Sequence, residues 1–237
     1  FKDDYTGNCH LFTNALYQKC LELGVKFEFN TNIESIAIKG NKVTSINTNN
    51  GVIEADSYSV SLGSYSPLLL GKIGIDIPVY PVKGYSITLP ILNEMDAPQS
   101  TVMDDKNKIG ITRLGDNIRV AGIAHLTDFN NDLRSKSLQS LKIGLSTLFP
   151  SAAAETDNEK FWTGFRPSTP DSTPIIGATP YSNLYINTGQ GTLGWTMSAG
   201  SGKLLASLIS GTVPEIPAQG IDMSRYKFSN KTPINYG

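Results

Sequence analysis

Histidine and cysteine are scarce in this chain, with two of each among 237 residues. The cysteines, Cys9 and Cys20, are too few for a disulfide framework, and no Cys or His pair stands at the short spacing a zinc site requires. Both fall on one predicted helix, where buried free thiols are expected, and free thiols suit a reducing compartment. An excess of one charge is also missing. Lys plus Arg number 20 against 21 Asp plus Glu, and no basic run or stripe is present that would neutralise phosphates, which argues against a nucleic-acid partner. No apolar run approaches the roughly 20 residues that span a bilayer, and no charged-then-apolar leader precedes Phe1. A soluble protein is expected on these grounds. The opening Phe1-Lys2-Asp3-Asp4-Tyr5 is neither an initiator methionine nor a plausible mature terminus, so a piece of a longer chain is expected.

What remains is enough for one large domain or two small ones with a substantial core. Phe12, Ala15, Leu16, Cys20 and Leu23 recur at helical spacing, with Asn8 as N-cap and Gly24 as the residue just past the end. A helix over 9–23 follows. Val25, Phe27 and Phe29 alternate as in a strand. Apolar-rich runs at 33–38, 43–48 and 52–62, separated by Lys39-Gly40-Asn41-Lys42 and Asn49-Asn50-Gly51, predict a β-meander. The last run leads into Gly63-Ser64-Tyr65-Ser66-Pro67, a small-residue loop that lets a ligand approach the backbone. From 73 to 165 the pattern is a mostly antiparallel sheet, including the hairpin Ile109–Leu114 with Ile118–Ile123. One helix interrupts it, with Leu138, Leu141, Leu145 and Leu148 on one face. Beyond 184 a strand, a glycine loop and a helix over 195–210 follow.

Gly189, Gly191 and Gly194 form a G-x-G-x-x-G between strand and helix, the dinucleotide pattern. That motif needs a second parallel strand bearing an acidic residue about 20 positions on. Here the stretch is Thr212-Val213-Pro214-Glu215-Ile216-Pro217, too rich in proline for a central strand. A nicotinamide-dependent dehydrogenase would rest on this triplet alone. The general physics of the helix start survives: unpaired N–H groups, a positive dipole end and small residues that permit close approach.

Trp162-Thr163-Gly164-Phe165-Arg166-Pro167-Ser168-Thr169-Pro170-Asp171, then Pro174-Ile175-Ile176-Gly177 and GTLGWTMSAGSG at 191–202, carry a resemblance. With TGNCHLFTNAL at 6–16, VSLGSYSP at 60–67 and YPVKGYS at 80–86 it covers nearly the whole chain. The sequence resembles the D-amino acid oxidase-like FAD-dependent oxidoreductases, and the dehydrogenase branch in particular. That resemblance implies a mixed α/β fold, with part of a Rossmann-like FAD-binding domain and an antiparallel-sheet substrate domain roofing the flavin. The expected segmentation is 1–72 for FAD binding, 73–165 for substrate, and 166–237 for the return to the FAD-binding domain. The family's opening strand and glycine loop, which hold the ADP part of FAD, have no equivalent before the helix at 9–23.

The resemblance also implies the roles of single residues. Arg166 would grip the substrate carboxylate, a task for which a guanidinium offers two parallel donors and lysine cannot substitute. Tyr85 would line the substrate pocket. Gly191, Thr192, Leu193, Gly194, Trp195 and Thr196 would set the helix start against the flavin pyrimidine edge. Ile176 and Gly177 would run along the flavin, Gly63, Ser64 and Gly84 would face it, and Ile33 would meet the adenine. At His125 and Gln190 the sequence departs from the family pattern, where Glu and His are usual. The implied reaction is FAD-dependent oxidative deamination of a D-amino acid to a 2-oxo acid and ammonia. Electrons would pass to a membrane quinone or respiratory carrier, with the protein cytoplasmic or peripheral at the inner membrane face. Alternatives are an oxidase of the glycine or sarcosine type, and a non-catalytic domain that binds a ligand or partner protein.

Overall fold

The computed structural model describes residues 6–153 and 159–226, so the opening Phe1–Tyr5 lies outside the described residues. The chain divides into two compact units, Phe1–Phe27 with Pro81–Phe165, and Glu28–Tyr80 with Arg166–Gly237.

The first unit is built on a five-stranded sheet of β5 (Tyr80–Pro90), β6 (Val102–Asp104), β7 (Ile109–Leu114), β8 (Asn117–Leu126) and β9 (Lys160–Ser168). Their order across the sheet is β6-β7-β8-β5-β9. The predicted hairpin forms with Leu114 opposite Asn117, and Gly115 turns the chain at φ +62°. Alternate residues of β5, Tyr85, Ile87 and Leu89, join Ile109, Ile111, Ile118 and Val120 in one core. Helix α3 (Ser135–Leu148) closes that core with Leu141 and Leu145, as its leucine spacing requires. The register of β5 on β8 slips between Lys83 and Tyr85, which face His125 and Gly122. The extra residue of β8 makes a bulge in which Ile123 takes φ +62°, a costly conformation for a β-branched side chain. Gly122 admits no side chain, because a Cβ there would lie 2.6 Å from the Lys108 carbonyl oxygen.

Helix α1 (Cys9–Glu22) begins as expected, with the Asn8 side chain accepting a hydrogen bond from the Leu11 N–H at 3.2 Å. It buries none of its residues. The expected burial of both thiols is therefore not met: Cys9 is exposed and Cys20 half-buried. No strand forms over Val25–Phe29: the Val25 N–H donates back to the Cys20 carbonyl at 3.0 Å, and the chain runs on into a turn at Phe29–Asn30. Alternation alone does not make a strand.

The second unit holds two three-stranded sheets. Strands β1 (Ile33–Lys39), β2 (Lys42–Thr48) and β3 (Gly51–Ile53) form the predicted antiparallel meander. The other sheet has the order β10-β11-β4, with β10 (Ile175–Ala178) antiparallel and β4 (Tyr58–Val60) parallel to β11 (Leu184–Thr188). Asn183 ties the two together. Its buried amide accepts from the Val43 N–H at 2.8 Å and donates to the Val43 and Asp56 carbonyls at 2.9 and 3.2 Å. Helix α2 (Ser66–Leu70) follows β4, and helix α4 (Gly194–Ser210) packs Leu204 and Leu205 against Ile176. The unit extends past the expected boundary at 72 because Ile75, Ile77 and Val79 fill its core beside Leu69 and Leu70. Residues 9–22 in turn group with the five-stranded unit rather than with the meander.

Two substitutions separate the buried helix from the exposed one in this chain. Leu141→Ala should cost about 3 kcal/mol in a urea melt, through lost burial and the cavity left behind. Leu16→Ala, on the exposed face of α1, should stay within about 0.5 kcal/mol. Equal losses would show that α1 is packed after all.

Candidate active site

The second unit brings two parallel strands to one edge. Strands β4 and β11 run side by side with Val60 level with Ile186, where β4 ends, and β11 runs on to Thr188. Each passes through glycine at positive φ, Gly63 at +55° and Gly191 at +55°, into a short 3-10 turn and then a helix. Ligands of open α/β sheets bind beyond the carboxyl ends of such strands. The buried Thr188 hydroxyl donates to the Gly63 carbonyl at 2.9 Å and fixes the two turns to one another.

Over this edge comes the end of β9. Ser168 makes an isolated antiparallel bridge with Gln190, within the glycine loop. Glycine at 189 makes the approach possible, since a Cβ there would lie 2.7 Å from Thr169 Cγ2 and 3.3 Å from the Ile175 nitrogen. Its φ of +83° favours glycine too. Pro167 passes Gly63 at ordinary contact distance, 3.9 Å from a Cβ built there. Arg166, Gly63, Ser64 and Gly191–Thr196 are thereby gathered at one sheet edge.

Arg166 is half-buried, and burial pushes its guanidinium pKa below the usual value. An arginine remains cationic in such surroundings. No side chain caps the start of α4, and Thr192, Leu193, Trp195 and Thr196 are exposed there. A cleft of about 220 Å³ lies alongside, lined by Asn187, Gln190, Gly194, Ser198 and Ser201. The Gln190 amide donates to Asn187 Oδ1 at 2.5 Å. A Cβ at Gly191 or Gly194 would meet nothing closer than 3.9 and 3.6 Å, so the backbone is open to a flat ring laid against it. An uncapped helix start with an open glycine backbone fits the electron-rich edge of a flavin.

Ile176 buries its side chain and its N–H donates to the Ile221 carbonyl at 2.9 Å, while Gly177 lies against Asp222, 3.0 Å from a built Cβ. Ile33 lines a small apolar pocket with Leu62, Val60 and Leu69. Gly84 and Tyr85 belong to the five-stranded unit. Tyr85 is 1% exposed within that unit's core, and its hydroxyl meets His125 Nδ1 at 3.2 Å.

One supporting group was not visible from spacing. Arg225 sits 2.9 Å from Asp171, donates to the Thr173 carbonyl at 2.6 Å, and lies beside Tyr226, whose hydroxyl donates to the same carboxylate. This clamp holds the loop that follows Ser168. Burial alone would raise the Asp171 pKa, but hydrogen bonds from Arg225, Tyr226 and the Thr173 N–H outweigh it and hold the carboxyl well below the usual range.

The model of the FAD dependent oxidoreductase family matches residues 1–208. The chain belongs to this family. It is 52% identical over 223 residues to a D-amino acid dehydrogenase of Allorhizobium ampelinum, covering 94% of this chain and 52% of that protein. A D-amino acid dehydrogenase of Vibrio vulnificus is 50% identical over 224 residues, with 94% and 53% covered. The chain thus spans about half the length of these relatives. Among solved structures, a glycine oxidase from Geobacillus kaustophilus superposes with a TM-score of 0.80 at 21% identity, covering 90% of this chain and 57% of that one. An L-proline dehydrogenase from P. horikoshii gives 0.78 at 24%, covering 91% and 59%. Both share the fold of this FAD-dependent family, whose mixed α/β architecture the chain carries.

The clamp makes a pH prediction. The folded-state pKa of Asp171 lies below its unfolded value, so its contribution is present above about pH 4 and fades as pH falls toward the folded value. Asp171→Asn should therefore lower stability at neutral pH, and the gap to wild type in urea melts should narrow below about pH 4. A gap that is constant across that range would show that Asp171 ionisation is not coupled to folding.

Proposed function

We propose that the full-length protein is an FAD-dependent D-amino acid dehydrogenase. The observation that carries this reading is the bridge between Ser168 and Gln190, which sets the strand end bearing Arg166 beside the uncapped start of α4. The relatives' names supply the substrate class, and the donor chemistry of the site agrees with it.

Arg166 takes the carboxylate of the amino acid in a two-point grip and fixes how the α-carbon is presented. Its half-buried position strengthens that attraction relative to open water. FAD, when bound, supplies the two-electron oxidation of the substrate's C–N bond. Residues Gly191–Thr196 would hold it, with the dipole end of α4 aimed where negative charge gathers on reduction. Gly63 and Ser64, in the turn after β4 at the same edge, would meet it by backbone contact. Water then hydrolyses the imino acid to a 2-oxo acid and ammonia. A substrate bound as the free amine needs no protein base, and none is assigned.

The dehydrogenase names of the relatives favour an acceptor other than oxygen, and a quinone or respiratory carrier at the membrane is the proposed one. A cytoplasmic location, or a peripheral one at the inner membrane face, is proposed together with this acceptor. Among the described residues no helix is long and apolar enough to cross a bilayer.

In the full-length enzyme, Arg166→Ala should raise KM for D-alanine about a hundredfold or more, and Arg166→Lys should recover only part of the loss. A KM within about twofold of wild type for both would remove the carboxylate assignment. Dye reduction without oxygen uptake is the expected assay outcome, whereas stoichiometric oxygen consumption would mark an oxidase of the glycine type.

A further inference from the structure

Lys83 is 2% exposed, on a strand whose alternate positions Tyr85, Ile87 and Leu89 are core residues. An ammonium group is seldom buried unless it is paired, and an apolar side chain would fill this place at lower cost. Among the described residues no carboxylate lies within ion-pair distance of it. Its Nζ instead donates to two backbone carbonyls, those of Asn130 and Asp132, at 2.6 Å each, and sits 5.3 Å from the centre of the Tyr85 ring. The purpose of the buried charge therefore lies with the loop that supplies the carbonyls.

That loop is stiffened from within. Asp128 Oδ1 accepts from the Asn130 N–H at 3.1 Å, Asn130 Oδ1 accepts from the Asp132 N–H at 2.6 Å, and the Asn130 amide donates to Asp132 Oδ2 at 2.8 Å. Held at two carbonyls, it is fixed as one piece. Within it Phe129 meets Phe165 edge to face, ring centres 5.5 Å apart at 69°. Phe165 immediately precedes Arg166 on β9, and two residues earlier Thr163 donates its hydroxyl to the Gly84 carbonyl, next to Lys83, at 2.7 Å.

We infer that Lys83 is a positioning residue for the carboxylate grip: its buried ammonium pins the 128–132 loop, which through the Phe129–Phe165 ring pair braces the stretch of β9 that leads into Arg166. The inference rests on the carboxylate role proposed above for Arg166. It assigns Lys83 and Phe129 no contact with substrate. Their effect is confined to how firmly the arginine-bearing strand is held.

The test uses the full-length, flavin-loaded enzyme with a D-amino acid and with the corresponding amino acid amide, which lacks the carboxylate. Lys83→Met and Phe129→Ala should each raise KM for the acid about tenfold while kcat changes less than about twofold and flavin content is unaltered. Phe129→Tyr, which keeps the ring, should restore the wild-type KM. With the amide, kcat/KM should match wild type in every variant, a pattern that general destabilisation would not produce. Unchanged KM for the acid, or an equal change for acid and amide, overturns the inference. Should Lys83→Met fail to fold, Phe129→Ala with its tyrosine counterpart decides alone. If Arg166→Ala raises KM and these variants do not, only the role of Lys83 is lost. An unaffected Arg166→Ala takes the carboxylate reading with it.

Discussion

The edge that joins β9 to the glycine loop depends on one close backbone approach, the bridge of Ser168 to Gln190 across Gly189. Without it the end of β9 and the start of α4 would be unrelated parts of the chain. A methyl group at 189 would push into Thr169 and the Ile175 nitrogen, so the crossing is possible only where that residue has no side chain. Thr188 and Pro167 then extend the same contact to Gly63, and the loop beyond Ser168 is clamped by Arg225 on Asp171. Each of these contacts is modest, but together they leave the arginine strand little freedom relative to the glycine loop.

The electrostatics of the edge follow from that placement. A guanidinium kept half out of water attracts a carboxylate more strongly than one on the surface, and it stays charged while doing so. The start of α4 supplies a second, diffuse positive field from its N–H groups. One is directional and suited to a small acid. The other is spread over several backbone groups and suited to the edge of a planar ring. Two anion-favouring features with different geometries on one edge fit a site for two ligands, a substrate and a cofactor, better than a site for one.

Much of this was legible in the sequence because it was written in local patterns. The leucine spacing of α3, the Gly115 turn of the β7–β8 hairpin, the Asn8 cap and the strand–glycine–helix order around 184–210 each depend on neighbours within a few residues. Burial was less readable. The apolar spacing of α1 forecast a covered face, yet the helix exposes Leu11, Phe12 and Leu16, because whether a face is covered depends on what stands against it. Val25–Phe29 alternated like a strand, yet the Val25 N–H is taken by the end of α1 and no strand is formed there. Tyr85 carried the expectation of a pocket residue, but not that of burial in the core of its own unit with its hydroxyl on His125. The Asp171–Arg225 clamp joins residues 54 positions apart, and nothing in either segment announces the other. Lys83 gave no signal either, since a lysine on a strand is ordinarily a solvent-facing residue.

The most direct test of the account is a crystal structure of the full-length protein with FAD and a small carboxylate inhibitor bound. The account predicts the inhibitor's carboxylate in paired hydrogen bonds of about 2.9 Å to the Arg166 guanidinium, with the flavin ring against the backbone of Gly191–Thr196. A carboxylate bound away from Arg166, or a flavin that leaves the start of α4 open to solvent, would contradict it.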